Sequence, residues 1–281
     1  MSKHFLISGF ADEIDANFDV QMANLKKLGM QYIEIRGVDG KNIAALTDEE
    51  IILVKEKMDS FSVRVSSIGS PVGKDEVHED FGLQLQRFVR IVTIAKMLDS
   101  KYIRIFSYFA KTDLQREEMK EEVVKRLIAF VEMAERENLI LLHENEKEIF
   151  GESHKYCKYL FDRIPSPHFK AVFDPANFVQ AGIDPLLAFE YLKEHIVYLH
   201  IKDALPDGKV VPAGQGTGKI KEILMQLKAS GFQGFLSLEP HLGSFTGLSA
   251  LEANPQMTEK SGPEKFALAY SALTGILQNM P

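Results

Sequence analysis

The sequence has one cysteine, Cys157, no long apolar run and no excess of positive charge. A lone thiol excludes an internal disulfide and fits a reducing compartment, so a cytoplasmic location is expected. No apolar stretch approaches the roughly 18 residues that a membrane-spanning helix needs, and no membrane partner is expected. The N-terminus lacks a basic segment followed by an apolar one, so no signal peptide is expected. A net charge of −7 argues against nonspecific nucleic-acid binding. The first strand-to-helix turn, Gly9-Phe-Ala-Asp-Glu13, lacks the glycine fingerprint of a dinucleotide-binding sheet.

What is present is ordinary globular composition: 281 residues, 45% hydrophobic and 26% charged. The pattern alternates short apolar runs with amphipathic stretches. Strands are expected at His4 to Phe10, Gln31 to Arg36, Arg64 to Ile68, Lys101 to Tyr108, Leu139 to Glu144, Phe169 to Phe173, Ile196 to Ile201 and Gly234 to Leu238. Helices are expected at Asn17–Leu28, from Thr47 through Met58, and at His78–Leu98, Gln115–Glu137 and Ser153–Phe161. Three more follow: one opened by Asp184-Pro185, then Lys219–Ala229 and Pro263–Gln278. Gly29 and Gly231 read as helix stops, and Thr47 with Glu50 as a capping box. Eight strands alternating with eight helices imply a parallel sheet with right-handed crossovers. Eight is the number that closes into an α/β (β/α)8 TIM barrel, a single domain over residues 1–281. An open doubly wound sheet is the rival arrangement.

Four of the later strands end in charge: Glu144, Asp174, His200 and Glu239. Active sites of such barrels lie at the C-terminal strand ends. Residues at that place in four consecutive units would arc around half the mouth. Three carboxylates and an imidazole aimed at one spot repel each other unless a cation sits among them. Oxygen-rich mixed ligands suit manganese or magnesium, with cobalt or zinc as alternatives. Taken singly, each is equally an ordinary loop residue.

Several motifs join these residues: Leu-His-Glu144-Asn, Val-Phe-Asp174-Pro-Ala-Asn177, Tyr-Leu-His200-Ile-Lys202-Asp203, Gly214-Gln-Gly216 and Leu-Ser-Leu-Glu239-Pro-His241. With them the chain resembles the xylose isomerase-like barrels, in particular the sugar phosphate isomerase/epimerase family that includes ketose 3-epimerases. The resemblance implies that Glu144, Asp174, His200 and Glu239 are metal ligands. It also implies a metal-stabilised enediolate, with Glu144 and Glu239 moving the proton. Return of the proton to the opposite face gives epimerisation; delivery to the neighbouring carbon gives isomerisation.

The sequence departs from the epimerases at two points. Asn177 stands where many carry a His, and the Arg they place after the strand-seven His is missing. Lys202, on the same strand face as His200, is a candidate for the hydroxyl or oxyanion contact. Glu146, Arg104, His241 and Phe10 are further candidates to touch substrate, with Ile68 and Tyr108 as walls. His143 alternates with Glu144 and should face the helices. Glu34 and Arg36 end strand two, where the family has a Glu; a salt bridge between them is the alternative. Ala213-Gly-Gln-Gly-Thr-Gly218-Lys219 lacks the spacing of a Walker A loop and reads as a turn into a helix, so it gives no ground for a phosphorylated substrate.

The expected activity is carbohydrate metabolism: isomerase or epimerase, metal-binding, manganese first, on a sugar, sugar acid or cyclitol. A keto-inositol-type dehydratase on the same site is the alternative. An apurinic-site endonuclease needs more His ligands than this chain offers, and a noncatalytic binding barrel has no need of two flanking bases. Barrels of this kind commonly associate, so a homo-oligomer is left open, and no interface is readable in the sequence.

Overall fold

A computed structural model describes residues 5–246, 248 and 259–281. His4, the expected start of the first strand, and residues 249–258 of the last long loop lie outside them. The strands are β1 (Phe5–Gly9), β2 (Tyr32–Ile35), β3 (Arg64–Gly69), β4 (Tyr102–Ile105), β5 (Ile140–Glu144), β6 (Phe169–Phe173), β7 (Ile196–Ile201) and β8 (Gly234–Leu238). All ladders between them are parallel, in the order β1-β8-β7-β6-β5-β4-β3-β2. β2 packs beside β1 without a ladder, so the ring is a nearly closed TIM barrel.

The helices are α1 (Phe18–Leu28), α2 (Asp48–Phe61), α3 (Phe81–Met97), α4 (Asp113–Arg136), α5 (His154–Arg163), α6 (Pro175–Gln180), α7 (Pro185–Leu192), α8 (Ile220–Ala229) and α9 (Pro263–Gln278). Local chemistry sets their ends. Glu50 N–H donates to Thr47 Oγ1 (3.2 Å) while Thr47 N–H donates to Glu50 Oε2 (2.9 Å). Gly29 closes α1 at φ 72°, where a side chain would be strained. α4 begins two residues before its expected start, because Thr112 and Gln115 form a second capping box. No helix among the described residues is long and apolar enough to cross a membrane.

Two departures from the sequence reading shape the mouth. β4 stops at Ile105 rather than Tyr108. The chain beyond it pairs with its neighbours above the barrel: Phe106 and Tyr108 N–H donate to Val72 O (2.8 Å) and Gly73 O (2.7 Å). Phe109 N–H donates to Asp75 O (3.0 Å), Ala110 N–H to Glu148 O (2.8 Å) and Phe150 N–H to Tyr108 O (2.9 Å). The loops after β3, β4 and β5 are therefore one bonded wall. Tyr108 is not free to face the mouth, since its hydroxyl donates to Gln84 on α3 (3.1 Å).

The second departure is α6, which the sequence reading missed. Asp174 caps it, with Pro175 in its first turn. That Asp-Pro signal is the same one that opens α7 at Asp184-Pro185.

The barrel interior is split. Leu142, Val172 and Tyr198 form an apolar patch with Tyr102, Ile140 and Phe235. Its Tyr198 hydroxyl meets buried polar groups, Glu34 (2.9 Å) and Ser66 (2.8 Å), and Ser8 and Ser237 are buried as well.

Candidate active site

The four strand-end residues meet. Glu144, Asp174, His200 and Glu239 each place a ligand atom within 4.8 Å of the others, and all four are buried. His200 Nδ1 lies 3.0 Å from Glu144 Oε1 and 3.4 Å from Glu239 Oε2. Bonds of about 2.1 Å to a central ion would put opposed ligands about 4.2 Å apart, so this spacing is right for one divalent cation after slight contraction.

Local structure aims these groups. Asp174 Oδ1 accepts the Asn177 N–H (3.0 Å) as the cap of α6. Its other oxygen, Oδ2, accepts no hydrogen bond though fully buried; Lys202 Nζ lies 3.0 Å from it, at an angle that makes an ion pair only. Asn145 clamps the same residue by its backbone: Asp174 N–H donates to Asn145 Oδ1 and Asn145 Nδ2 donates to Asp174 O, both at 2.9 Å. That clamp ties the end of β5 to the end of β6.

The expected repulsion among the ligands is met partly by the protein itself. Arg104 Nη1 donates to Glu144 Oε2 (2.7 Å). Arg36 Nη1 and Lys202 Nζ donate to the two Glu239 oxygens (both 3.3 Å). Lys202 thus bridges two candidate ligands, Asp174 and Glu239. Even so, three cations face six buried carboxylates: Asp12, Glu13, Glu34, Glu144, Asp174 and Glu239.

Burial pushes the Asp174 carboxyl up to about 6, with Lys202 pulling against it and Glu239 and Glu144 adding to the rise. Burial also acts upward on Glu144, but His200 and Arg104 outweigh it and hold that carboxyl at about 2. Of the three clustered carboxylates, Asp174 is therefore the one that the protein compensates least, with Lys202 alone paired to its Oδ2. Three carboxylates and one imidazole are a hard, oxygen-rich donor set, and the residues fit a divalent metal ion.

The remaining candidates stand close by. Asn177 Nδ2 donates to Glu144 Oε1 (3.3 Å) and to Asn145 O (2.8 Å); its Oδ1 is buried without a hydrogen-bond partner. Phe10 packs between His200 (ring centroids 5.2 Å) and the Arg36 guanidinium (4.2 Å). Glu146 pairs with Lys74 at 3.3 Å. His241 Nε2 lies 3.5 Å from both Glu13 Oε1 and Glu239 Oε1.

His143 faces outward as expected. Its Nε2 bonds Ser107 Oγ (2.9 Å) and its ring meets Phe161 and Phe169. Burial lowers its pKa to about 4.

Glu34 and Arg36 do not pair with each other. Arg36 grips Asp12 through Nε (2.8 Å) and Nη2 (3.0 Å) and reaches Glu13 (3.3 Å), whereas Glu34 turns inward to His200 Nε2 (3.2 Å). One residue of spacing on the same strand face puts Arg36 in the mouth and Glu34 a layer below it.

The sequence reading missed Asp12, Glu13 and Asn145. Glu13 Oε2 accepts the His241 N–H (2.7 Å) and Glu13 O accepts Ser261 Oγ (2.6 Å). Burial raises the Glu13 carboxyl to about 7, against His241 and Arg36.

The glycine-rich loop proves to be a turn around an internal anion. Asp203 Oδ2 accepts Gly214 N–H (2.8 Å) and Gly216 N–H (3.0 Å), and Oδ1 accepts Gly218 N–H (2.8 Å) and Ala204 N–H (2.9 Å). A Cβ on Gly216 or Gly218 would stand 2.3 or 2.6 Å from Asp203 Oδ1.

Residues 22–261 match the profile of the xylose isomerase-like TIM barrel. The chain belongs to that family. Among solved xylose isomerase-like barrels, the chain is similar to an IolI protein with a bound zinc atom (17% identity, 99% of each chain, TM-score 0.78). It is also similar to D-allulose 3-epimerase from Methylomonas sp. in complex with D-allulose (16% identity, 99% of this chain and 98% of that one, TM-score 0.76). A third is the probable 3-DHS dehydratase AsbF of petrobactin synthesis from Bacillus anthracis (17% identity, 96% and 99%, TM-score 0.73). At these identities the likeness is one of fold. No curated protein matches the sequence.

Proposed function

We propose that the chain is a divalent-metal-dependent isomerase or epimerase of a sugar, sugar acid or cyclitol. The observation that carries this is the pair Glu144 and Glu239, both against His200 Nδ1, in one buried cluster with Asp174. A metal held by these four residues, manganese in this reading, supplies Lewis-acid polarisation of adjacent carbonyl and hydroxyl oxygens and acidifies the C–H between them.

Glu144 and Glu239 are then the proton-transfer groups. Arg104 and His200 hold Glu144 low, and Lys202, His241 and His200 outweigh burial to hold Glu239 well below the usual carboxylate range. Carboxylates held that low are weak bases, so they take a proton only from a strongly acidified C–H. One removes the proton; the other, or the same one, returns it.

Lys202 and Arg104 donate to substrate oxygens, and the unpartnered Asn177 Oδ1 accepts from a hydroxyl. Phe10 forms the floor beside His200, and Glu146 and His241 contact the sugar. The buried single thiol, Cys157, fits a reducing, cytoplasmic setting.

A second reading has support in Asn177, which replaces the epimerases' His and touches Glu144. A dehydratase would use the same first proton abstraction but expel a β-hydroxyl. The test is incubation with a panel of sugars and cyclitols and Mn²⁺ in D₂O. Deuterium entering carbon without loss of water supports the isomerase, and loss of water supports the dehydratase. Exchange into none of them refutes both. Glu144→Gln and Glu239→Gln should each abolish exchange while leaving the circular dichroism spectrum unchanged.

A further inference from the structure

We propose that Glu34 and Tyr198 are positioning residues that fix which ring nitrogen His200 presents to a metal ion. The proposal rests on the metal reading of the site.

Its basis is a buried column of hydrogen bonds inside the barrel. Glu34 Oε2 lies 3.2 Å from His200 Nε2 and 2.9 Å from Tyr198 Oη. Tyr198 Oη lies 2.8 Å from Ser66 Oγ, and Ser66 Oγ lies 2.6 Å from Ser8 Oγ. Glu34, Tyr198, Ser66, Ser8 and His200 are all at most 2% exposed.

Counting protons along the column gives it a direction. A carboxylate can only accept, whereas a phenol has one proton to give. Tyr198 therefore donates to Glu34. Ser66 can donate to Tyr198 Oη or to Ile33 O (3.0 Å), and Ser8 shares a hydrogen bond with Ser66. With Glu34 as acceptor, Nε2 of His200 must carry a hydrogen. A metal ion would then take the place of the proton on Nδ1, the nitrogen that faces Glu144 and Glu239. The opposite tautomer would set a lone pair against the Glu34 carboxylate and offer no lone pair to a metal ion in the cluster.

Glu34 is not itself among the residues that share the 4.8 Å cluster. It stands on the far side of the imidazole ring, so it acts through His200. Glu34 Oε1 is buried and accepts no hydrogen bond, so the carboxylate is held by its two donors on Oε2 alone. Loss of the Tyr198 hydroxyl leaves only the imidazole to orient it. The Tyr198 ring is independently fixed by Tyr102 (centroids 6.0 Å) and Phe235 (5.5 Å), so Tyr198→Phe should keep the packing and lose only the tether.

Outer partners of a ligating imidazole typically change metal affinity 10–100-fold when removed. The test uses the whole chain and Zn²⁺ alone. Long-range ¹H–¹⁵N correlation on histidine-labelled protein, with His200→Gln to assign the signal, should show Nδ1 bound to zinc and Nε2 protonated. Calorimetric Zn²⁺ titration should give a Kd raised about 10–100-fold in Glu34→Leu and by a smaller factor in Tyr198→Phe. Glu34→Gln keeps an acceptor oxygen for Nε2–H, so it should retain the Nδ1-bound tautomer and bind Zn²⁺ more tightly than Glu34→Leu.

Zinc on Nε2 of the wild-type His200, or equal affinities in wild type, Glu34→Leu and Tyr198→Phe, would overturn the tether and leave the metal reading standing. Absence of Zn²⁺ binding in the wild type would overturn both. The wild-type spectrum decides the tautomer even if every variant fails to fold.

Discussion

Replacing Asp203 by Asn removes one charge from a cage of four backbone N–H donors without changing its shape. Asp203 is 1% exposed, and its two oxygens accept two donors each. An amide oxygen can keep one pair. The amide NH₂ must then face the other pair, donor against donor. Each orphaned N–H costs about 1–3 kcal/mol, and the two that remain lose about 1 kcal/mol each of charge assistance. Gly214 is exposed and Gly216 half-buried, so water relieves some of this. The expected loss is about 3–5 kcal/mol, which for a chain of this size lowers the midpoint of thermal unfolding by roughly 10 °C. Urea unfolding at pH 7 measures it, provided that the m-value is unchanged. Asp207→Asn is the control: its carboxylate accepts Lys209 N–H at an exposed turn, and the change should stay within about 0.5 kcal/mol. If Asp203→Asn cost less than about 1 kcal/mol, the glycine-rich loop would not be organised by this anion.

The other predictions concern the site, the barrel wall and one buried imidazole. Zn²⁺ or Mn²⁺ at a hundred times its Kd should add about 2.7 kcal/mol of stability; EDTA should remove it, and a melting temperature indifferent to both would count against the metal reading. Glu144→Gln or Glu239→Gln should cut turnover at least 10²–10⁴-fold, and near-wild-type activity on the true substrate would refute proton transfer by these residues. Gly73→Ala should destabilise by about 2 kcal/mol or more, because Gly73 has φ +85° and its Cβ would lie 2.2 Å from Phe106 O; chemical denaturation reads this directly. His143 is held neutral with a pKa lowered from 6.5 to about 4 by burial. Below pH 6.5 the unfolded chain takes up a proton that the folded chain refuses until about pH 4, so stability falls with acidification. Between pH 7 and 4.5 the loss is about 2.5 kcal/mol, and a His143→Gln variant should lack that part of the pH dependence.

The barrel was legible because each apolar run is bounded by a cap, a glycine or a charge, and those signals are local. The strand boundaries of β6, β7 and β8 agree with the pattern to the residue. The four clustered residues were legible for a related reason: a buried strand ending in charge is anomalous wherever it occurs. What could not be read depends on distant partners. Glu13 meets His241, and Arg36 meets Glu239, across most of the chain. Glu34 had an obvious neighbour in Arg36 and a better partner in His200, and only closure of the barrel decides between them. The helix α6 hid in plain view, because Asp174-Pro175-Ala-Asn177 was read for ligands and not for its cap. One Asp174 oxygen starts the helix, and the residue also lies in the buried cluster.

The bonded wall over β3, β4 and β5 bears on how such a barrel can acquire a new substrate. Backbone hydrogen bonds that join Val72, Gly73 and Asp75 to the chain at residues 106–110, and that chain to Glu148 and Phe150, make three loops one inheritable cassette. A graft of any one loop from a relative would break its backbone bonds to the neighbouring loop, whereas a graft of all three together would carry its own bonding with it. Recombination that respects this unit should give folded chimeras far more often than loop-by-loop exchange, and the strip of backbone between residues 70 and 150 is where the crossover points belong.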